Sequence, residues 1–217
     1  MKQLLRKTPI INIAYFYLAK HINLYKNVQR LKQALKTSDP LRIVIGSASI
    51  CEEKWVPTDI EYLNILKPTD WEMFFQEKSI DAILSEHVWE HLTRQEGLVA
   101  AKNCYKYLKE GAYIRIAVPD GLHPDQNYIN EVGVGGTGSG ADDHKILYTY
   151  KSLSTLFEQA GFQVELLEYF DEEQHFYANE WNTADGMIHR SKQFDQRNAD
   201  GQLHYTSIIL DARKVGQ

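Results

Sequence analysis

The stretch that decides the fold is residues 79–120, which read SIDAILSEHVWEHLTRQEGLVAAKNCYKYLKEGAYIRIAVPD. An apolar run at 80–84 is too short for a helix, and a second apolar run follows at 113–118. Between them, residues 92–108 carry apolar side chains at helical spacing, and Gly111 would let that helix end. The stretch therefore predicts strand, helix and strand, a crossover unit typical of a parallel sheet.

Ligands of parallel sheets bind at the carboxyl ends of the strands. In residues 79–120 those ends are Ser85-Glu86-His87 and Pro119-Asp120-Gly121. We therefore expect the functional edge of the molecule to lie there.

Composition limits the class of protein. The chain has 217 residues, of which 43% are hydrophobic, and a net charge of −5, which indicates one globular domain. An acidic balance gives no electrostatic reason to expect a nucleic acid or an anionic membrane as a partner. The two cysteines, Cys51 and Cys104, are too few for a disulfide framework, and Cys104 fits a buried thiol on an apolar helix face.

The N-terminal segment forms a separate pattern. Apolar residues at 10–36 alternate steps of three and four, which predicts an amphipathic helix. We expect an extension over 1–39 and a main domain over 40–217. The helix could pack on the domain, close over a ligand as a lid, or form a homodimer seam. Its apolar run is too short to span a bilayer, and we expect a cytoplasmic protein.

Further strands are predicted at 41–46, 54–59 and 62–66, before a helix whose N-cap would be Thr69 or Asp70. The first is followed by Gly46-Ser47-Ala48, a turn that allows backbone to approach a ligand or simply joins two elements. Asp59 ends the second strand, as a ribose-binding acid or as a plain turn residue. Strands at 163–170 and 203–212 complete an α/β, doubly wound order.

Several of these segments together resemble a known family. LRIVIGSAS (41–49), KWVPTDI (54–60), SIDAILSEHVWEHL (79–92) and LKEGAYIRIAVPD (108–120) are similar to class I S-adenosylmethionine-dependent methyltransferases, specifically the type 11-like bacterial branch. HKILYTYKSLSTLFEQAGF and the closing RSKQFDQRNADGQLHYTSIILDARK extend the resemblance to residue 213 or so. The chain departs from the family in its glycine turn, where Ser47 and Ala48 replace glycines.

The resemblance implies a Rossmann-like, mostly parallel sheet of seven strands with an N-terminal helical extension. It implies S-adenosylmethionine as cofactor and S-adenosylhomocysteine as product. The glycine turn would hold the methionine part of the cofactor, and Asp59 would bind the ribose. The end of the predicted third strand would hold the adenine, and the end of the fourth strand would border the transferred methyl group. The residues expected at the cofactor are Gly46, Ser47, Ala48, Asp59, Ile60, Asn64, Ile65, Ser85, Glu86 and His87.

The acceptor side is expected beyond Asp120. The glycine-rich loop at 133–140 lacks the Gly-Lys-Ser/Thr signature of a nucleotide loop. As an insertion after the strand at 112–118, it better suits a mobile loop that closes over the substrate. A hydroxyl acceptor needs a general base, and histidine is the usual one. His144 is our first candidate and His123 the second, although each could be an exposed loop histidine. The implied acceptor is a small molecule or carbohydrate, methylated at oxygen.

Two alternatives stay open. A turn with only one glycine, Gly46, would also suit a methyltransferase-like binding module without catalysis. His87-Val88-Trp89-Glu90-His91 matches H-x-x-E-H, a zinc-protease motif that requires a helix already formed at His87. Because His87 directly follows a predicted strand, we expect Glu90 and His91 to cap and pack the next helix instead, and no metal.

Overall fold

The computed structural model describes residues 9–47 and 53–216. Within that part, seven strands form one sheet in the order β2-β1-β3-β4-β7-β5-β6. The strands are β1 Arg42–Ile45, β2 Val56–Pro57, β3 Ile80–Glu86, β4 Leu108–Pro119, β5 Gln163–Phe170, β6 Phe176–Ala178 and β7 Ser207–Arg213. The α-helices are α1 Pro9–Thr37, α2 Pro68–Phe74, α3 Arg94–Tyr107, α4 Gln126–Val132 and α5 Tyr150–Gln159.

The sheet is mostly parallel. Neighbouring pairs among β2, β1, β3 and β4 are parallel, whereas β7 is antiparallel to both β4 and β5. Consequently β1 to β5 run in one direction, and their carboxyl ends share one edge. The prediction of a seven-stranded, Rossmann-like α/β sheet is confirmed.

The two faces of the sheet are covered differently. Ile43, Ile83 and Ile114 point to a large apolar cluster that includes buried residues of α3 and α5. The opposite face, which includes Val44 and Leu84, packs on Trp55, Ile188 and Trp181. Irregular chain around 181–188 therefore covers much of the second face, where a doubly wound sheet usually has helices.

The C-terminal half of α1 packs on the first cluster. Leu31 is buried there, and Ala34 and Leu35 lie against it. Among the described residues, no helix is both long and apolar enough to cross a membrane.

The predicted third strand at 62–66 is wrong. The backbone amides of Tyr62 and Leu63 donate to the carbonyl of Asp59, and the Asn64 side chain accepts from the amide of Leu66. These local bonds fold the segment into turns, so its backbone groups are not presented to a sheet. The seventh strand is instead β6, which pairs with β5.

Several element ends differ from the prediction. Helix α3 ends at Tyr107, and Gly111 lies inside β4, where its amide donates to the carbonyl of Lys214. The N-cap of α3 is Thr93, so Glu90 and His91 do not cap it but form a short 3-10 turn before it. The N-cap of α2 is Lys67, with no side-chain hydrogen bond, whereas Thr69 and Asp70 lie inside the helix.

Candidate functional site

A cavity of about 470 Å³ opens at the carboxyl ends of β1 and β3. Four separate segments of the chain form its walls. They are the end of β1 with Gly46 and Ser47, the segment Leu84–His91, the stretch from Glu131 to His144, and the stretch from Met187 to Tyr205. The cavity thus lies at the edge where a parallel sheet binds its ligands.

Gly46 lines the cavity at the end of β1. Its φ is +66°, and a Cβ at this position would lie 2.5 Å from the Cγ2 atom of Val88. Both the backbone conformation and the lack of space therefore require glycine. The next residue, Ser47, is buried and its amide donates to the carbonyl of Thr58, which joins the turn to the end of β2. Ala48 lies outside the described residues.

Glu86 fixes one wall of the cavity. Its carboxylate accepts hydrogen bonds from the backbone amides of His189 and Arg190, at 3.0 and 2.8 Å. The Arg190 guanidinium lies 3.7 Å away. Glu86 therefore holds the chain before β7 against the end of β3.

His87 has both ring nitrogens engaged. The Ser207 hydroxyl donates to the carbonyl of Arg190, so the 3.1 Å contact between Ser207 Oγ and His87 Nε2 must be donated by the histidine. The other nitrogen, Nδ1, faces Glu90 Oε1 at 2.9 Å. With φ at +55°, His87 is held in a left-handed conformation at the strand end.

Glu90 is completely buried beside His87. The His87 contact has the distance of an ion pair but not the alignment of a hydrogen bond. Within residues 9–47 and 53–216, neither carboxylate oxygen of Glu90 has a hydrogen-bond partner. A buried carboxylate without hydrogen bonds is costly, and the contact that offsets this cost is the one with His87.

His91 and His144 stand next to Glu90, their ring centroids 4.7 Å apart. His144 is buried and its Nδ1 lies 2.8 Å from the carbonyl of Val132, while His91 Nδ1 lies 2.6 Å from the carboxylate of Asp143. A carbonyl can only accept, so His144 carries its proton on Nδ1 when neutral and has a lone pair on Nε2. One ligand atom from each of Glu90, His91 and His144 can be chosen so that all lie within 4.8 Å of one another.

The glycine-rich loop is adjacent to this group. Gly138 and Ser139 line the cavity, and the amide of Gly138 donates to the carbonyl of Glu131. That bond and the one from Thr137 to the carbonyl of Asn130 fold the loop back on α4. Its predicted closure over a substrate stays a prediction.

His123 lies elsewhere. It is buried, stacks on Tyr128 with centroids 4.0 Å apart, and does not line the cavity. Its Nδ1 accepts from the amide of Asp125, and its Nε2 lies 3.1 Å from the carbonyl of Leu203. Burial lowers the pKa of His123, which favours the neutral ring that these two bonds require. These contacts give it a packing role.

The other residues predicted at the cofactor divide into two groups. Asp59 and the exposed Ile60 follow β2 at the same sheet edge as Gly46, outside the cavity lining, with Asp59 Oδ1 accepting from the amide of Ile60. The second group also lies outside the cavity lining and contains Asn64, Ile65 and Ser85. The carbonyl of Ile65 accepts from the side chains of Trp71 and Asn103, and Ser85 is buried. The structure thus brings together Gly46, Ser47, Glu86, His87 and His144.

Arg197 and Tyr205 were not predicted. The Arg197 guanidinium carbon lies 3.3 Å from the Tyr205 ring centroid, and its nitrogens bind both carboxylate oxygens of Asp195. Burial acts to raise the pKa of Asp195, but the bonds from Arg197 hold it below its ordinary value. Burial raises the pKa of Tyr205 to about 12, so the phenol stays neutral. The sequence feature that could have indicated this part of the site is the mixture of basic and acidic residues in RSKQFDQRNAD (190–200).

No family model matches the chain, and no curated protein matches its sequence. Among solved structures, it is similar to a SAM-dependent methyltransferase from Archaeoglobus fulgidus, with 16% identity, TM-score 0.45, and coverage of 91% of this chain and 94% of the other. It is also similar to a Thermotoga maritima SAM-dependent methyltransferase, described as a possible histamine N-methyltransferase. The identity is 14% and the TM-score 0.44, with coverage of 95% of this chain and 96% of the other. For phosphoethanolamine N-methyltransferase 2 of Haemonchus contortus, the identity is 12% and the TM-score 0.44, with coverage of 89% of this chain and 53% of the other. At this level the likeness carries no conclusion about the reaction.

Proposed function

We propose that the chain is a methyltransferase that uses S-adenosylmethionine and releases S-adenosylhomocysteine. The observation that carries the proposal is the Gly46 turn, which opens on a cavity at the carboxyl ends of β1 and β3. Glycine at position 46 lets the turn pack against Val88, and the backbone of the turn then lines the cavity where the amino-acid part of such a cofactor would lie. Asp59, which follows β2 at the same edge, is the carboxylate that would bind the ribose hydroxyls.

The walls of the cavity suit an acceptor with hydroxyl groups. His87, His144, Arg190 and Arg197 all line it, and its volume of about 470 Å³ is that of a small-molecule site. Methyl transfer from a sulfonium is an in-line displacement, so alignment is the main task of the protein. We propose a small-molecule or carbohydrate acceptor that is methylated at oxygen.

His144 is the proposed base. Because its Nδ1 donates to Val132, the Nε2 lone pair is available to take the proton of an acceptor hydroxyl. In this proposal the second candidate, His123, has no direct role, because it packs outside the cavity.

Titration calorimetry with S-adenosylmethionine and S-adenosylhomocysteine tests the proposal. Asp59→Asn keeps the size and the turn of the native residue but removes its charge. We expect it to weaken binding by about ten- to a hundredfold, the range for lost hydrogen bonds to a charged group. Glu61→Gln, an exposed carboxylate of the same turn, is the matched control and should bind like the native protein.

If the native protein binds neither compound, the proposed function is wrong. Binding of both compounds, without methyl transfer to any acceptor tried, would favour the binding module without catalysis. The zinc-hydrolase alternative built on His87 is the weaker proposal, because Nε2 of His87 donates to Ser207 and Trp89–His91 is only a 3-10 turn.

A further inference from the structure

We propose that Glu90, His91 and His144 form a binding site for a divalent transition-metal ion, with Zn²⁺ as the reference ion. Two imidazoles and one carboxylate are a ligand set that Zn²⁺ and Fe²⁺ use in proteins. The site differs from the H-x-x-E-H motif of the sequence. His144, from a loop more than fifty residues away, takes the place that His87 would have in that motif.

Both histidines have a hydrogen-bond acceptor at Nδ1. His91 directs Nδ1 at the carboxylate of Asp143, and His144 directs Nδ1 at the carbonyl of Val132. Such outer partners fix the tautomer that leaves the Nε2 lone pair free, and they are the usual companions of metal-bound histidines. The pattern occurs twice in one small cluster, which packing alone does not require.

Glu90 supplies the independent observation. It is fully buried, lines the cavity, and neither of its oxygens has a hydrogen-bond partner among the described residues. The contact of Oε1 with His87 Nδ1 leaves the other lone pairs of the carboxylate without hydrogen bonds, and a cation would bind them. His87, 2.9 Å from Oε1, would then hold the ligating carboxylate from behind.

The spacing fits an ion after a small adjustment. Ligand atoms about 2.1 Å from a metal lie within about 4 Å of one another, and here they lie within 4.8 Å. Ion binding would therefore require small rotations of the three side chains. Three protein ligands also leave a coordination position open for a water or an oxygen of a ligand.

The site stands independently of methyl transfer, but one consequence rests on the proposed function. With an ion bound, His144 is a ligand and cannot be the base. An acceptor hydroxyl at the open position would then lose its proton more readily because the cation stabilises the oxyanion.

Calorimetric titration of the untagged, chelator-treated full chain with Zn²⁺, and separately with Mg²⁺, tests the proposal. We expect one Zn²⁺ per chain with a dissociation constant in the micromolar range or below, and much weaker binding of Mg²⁺, which prefers oxygen ligands. Co²⁺ gives a second readout, a visible absorption band of a site with nitrogen ligands.

Glu90→Gln and His144→Ala should each weaken Zn²⁺ binding by at least about a hundredfold, because each removes a direct ligand. His204→Ala, an exposed histidine outside the cavity, should leave it unchanged. Asp143→Asn changes an exposed outer partner and should fold normally, yet weaken binding by about ten- to a hundredfold.

No Zn²⁺ binding by the native chain would overturn the metal site. So would native affinity in folded Glu90→Gln or Asp143→Asn protein, as judged by thermal unfolding. Neither result affects the titration with S-adenosylhomocysteine, so failure of the metal site and failure of the proposed function can be told apart.

Discussion

Asp120 shows how a residue at the functional edge can serve the fold. It directly follows β4, where the sequence places a ligand-binding edge, but its side chain is completely buried. One carboxylate oxygen accepts from the amide of Leu122 at 2.9 Å and the other from the amide of Phe170 at 2.7 Å. Asp120 therefore joins the end of β4 to the end of β5.

Burial raises the pKa of Asp120 to about 6, although the two amide bonds act in the opposite direction. The folded chain therefore binds this proton more tightly than the unfolded chain. The stability that results is fully present below about pH 4 and is lost as the pH rises through about 6. A shift of this size corresponds to at most about 3 kcal/mol.

Asp120→Asn should remove this pH dependence. We expect the free energy of unfolding of the native chain, relative to the variant, to fall by about 2–3 kcal/mol between pH 4 and pH 7. Urea denaturation at several pH values measures it, with the exposed Asp142→Asn as control. A constant difference between native chain and variant across this range would contradict the pKa shift.

The residues of the site were predicted unevenly. Gly46, Glu86 and His87 follow directly from the rule that ligands lie at strand ends. Glu90 was assigned to packing, because only the meeting of His91 with the distant His144 gives it a chemical setting. Arg197 and Tyr205 reach the cavity through an irregular segment, and no periodic pattern predicts where such a segment lies.

At the scale of elements, the crossover unit was predicted well and its ends were not. Helix α3 begins after Thr93, whose side chain accepts from the amide of Glu96, while the Glu96 carboxylate accepts from the amide of Thr93. The sequence contains this capping box, but the apolar pattern at 92–108 extends beyond the helix at both ends. Apolar spacing identifies the buried face of a helix, whereas local hydrogen bonds decide where the helix stops.

Thr93→Ala should destabilise the chain by about 1 kcal/mol, because it removes the reciprocal bonds at the N-terminus of α3. Thr69→Ala is the matched control. The sequence suggests Thr69 as an N-cap, but it is exposed inside α2, and its substitution should change stability by less than about 0.5 kcal/mol. Equal effects of the two substitutions on the urea midpoint would contradict the assigned caps.

At the scale of the whole molecule, the mostly parallel character of the sheet follows from the sequence and the cavity does not. Buried runs, glycine turns and one long amphipathic helix are sufficient to predict a mostly parallel sheet. The cavity walls come from four stretches of chain between Val44 and Tyr205, and their meeting is a result of tertiary packing. The N-terminal boundary near residue 39, a lid and a homodimer seam stay predictions.

The central claim is that the Gly46 turn binds the cofactor, and two glycine variants test it most directly. Gly46→Ala and Gly201→Ala both place alanine at positive φ, +66° and +84°, but only at Gly46 does the new Cβ meet another residue. Titration calorimetry with S-adenosylhomocysteine on both folded variants and the native chain is the measurement. We predict that Gly46→Ala weakens binding by at least about tenfold, or about 1.4 kcal/mol, while Gly201→Ala binds like the native chain. Equal affinities of all three proteins, or no binding by the native chain, would contradict the claim.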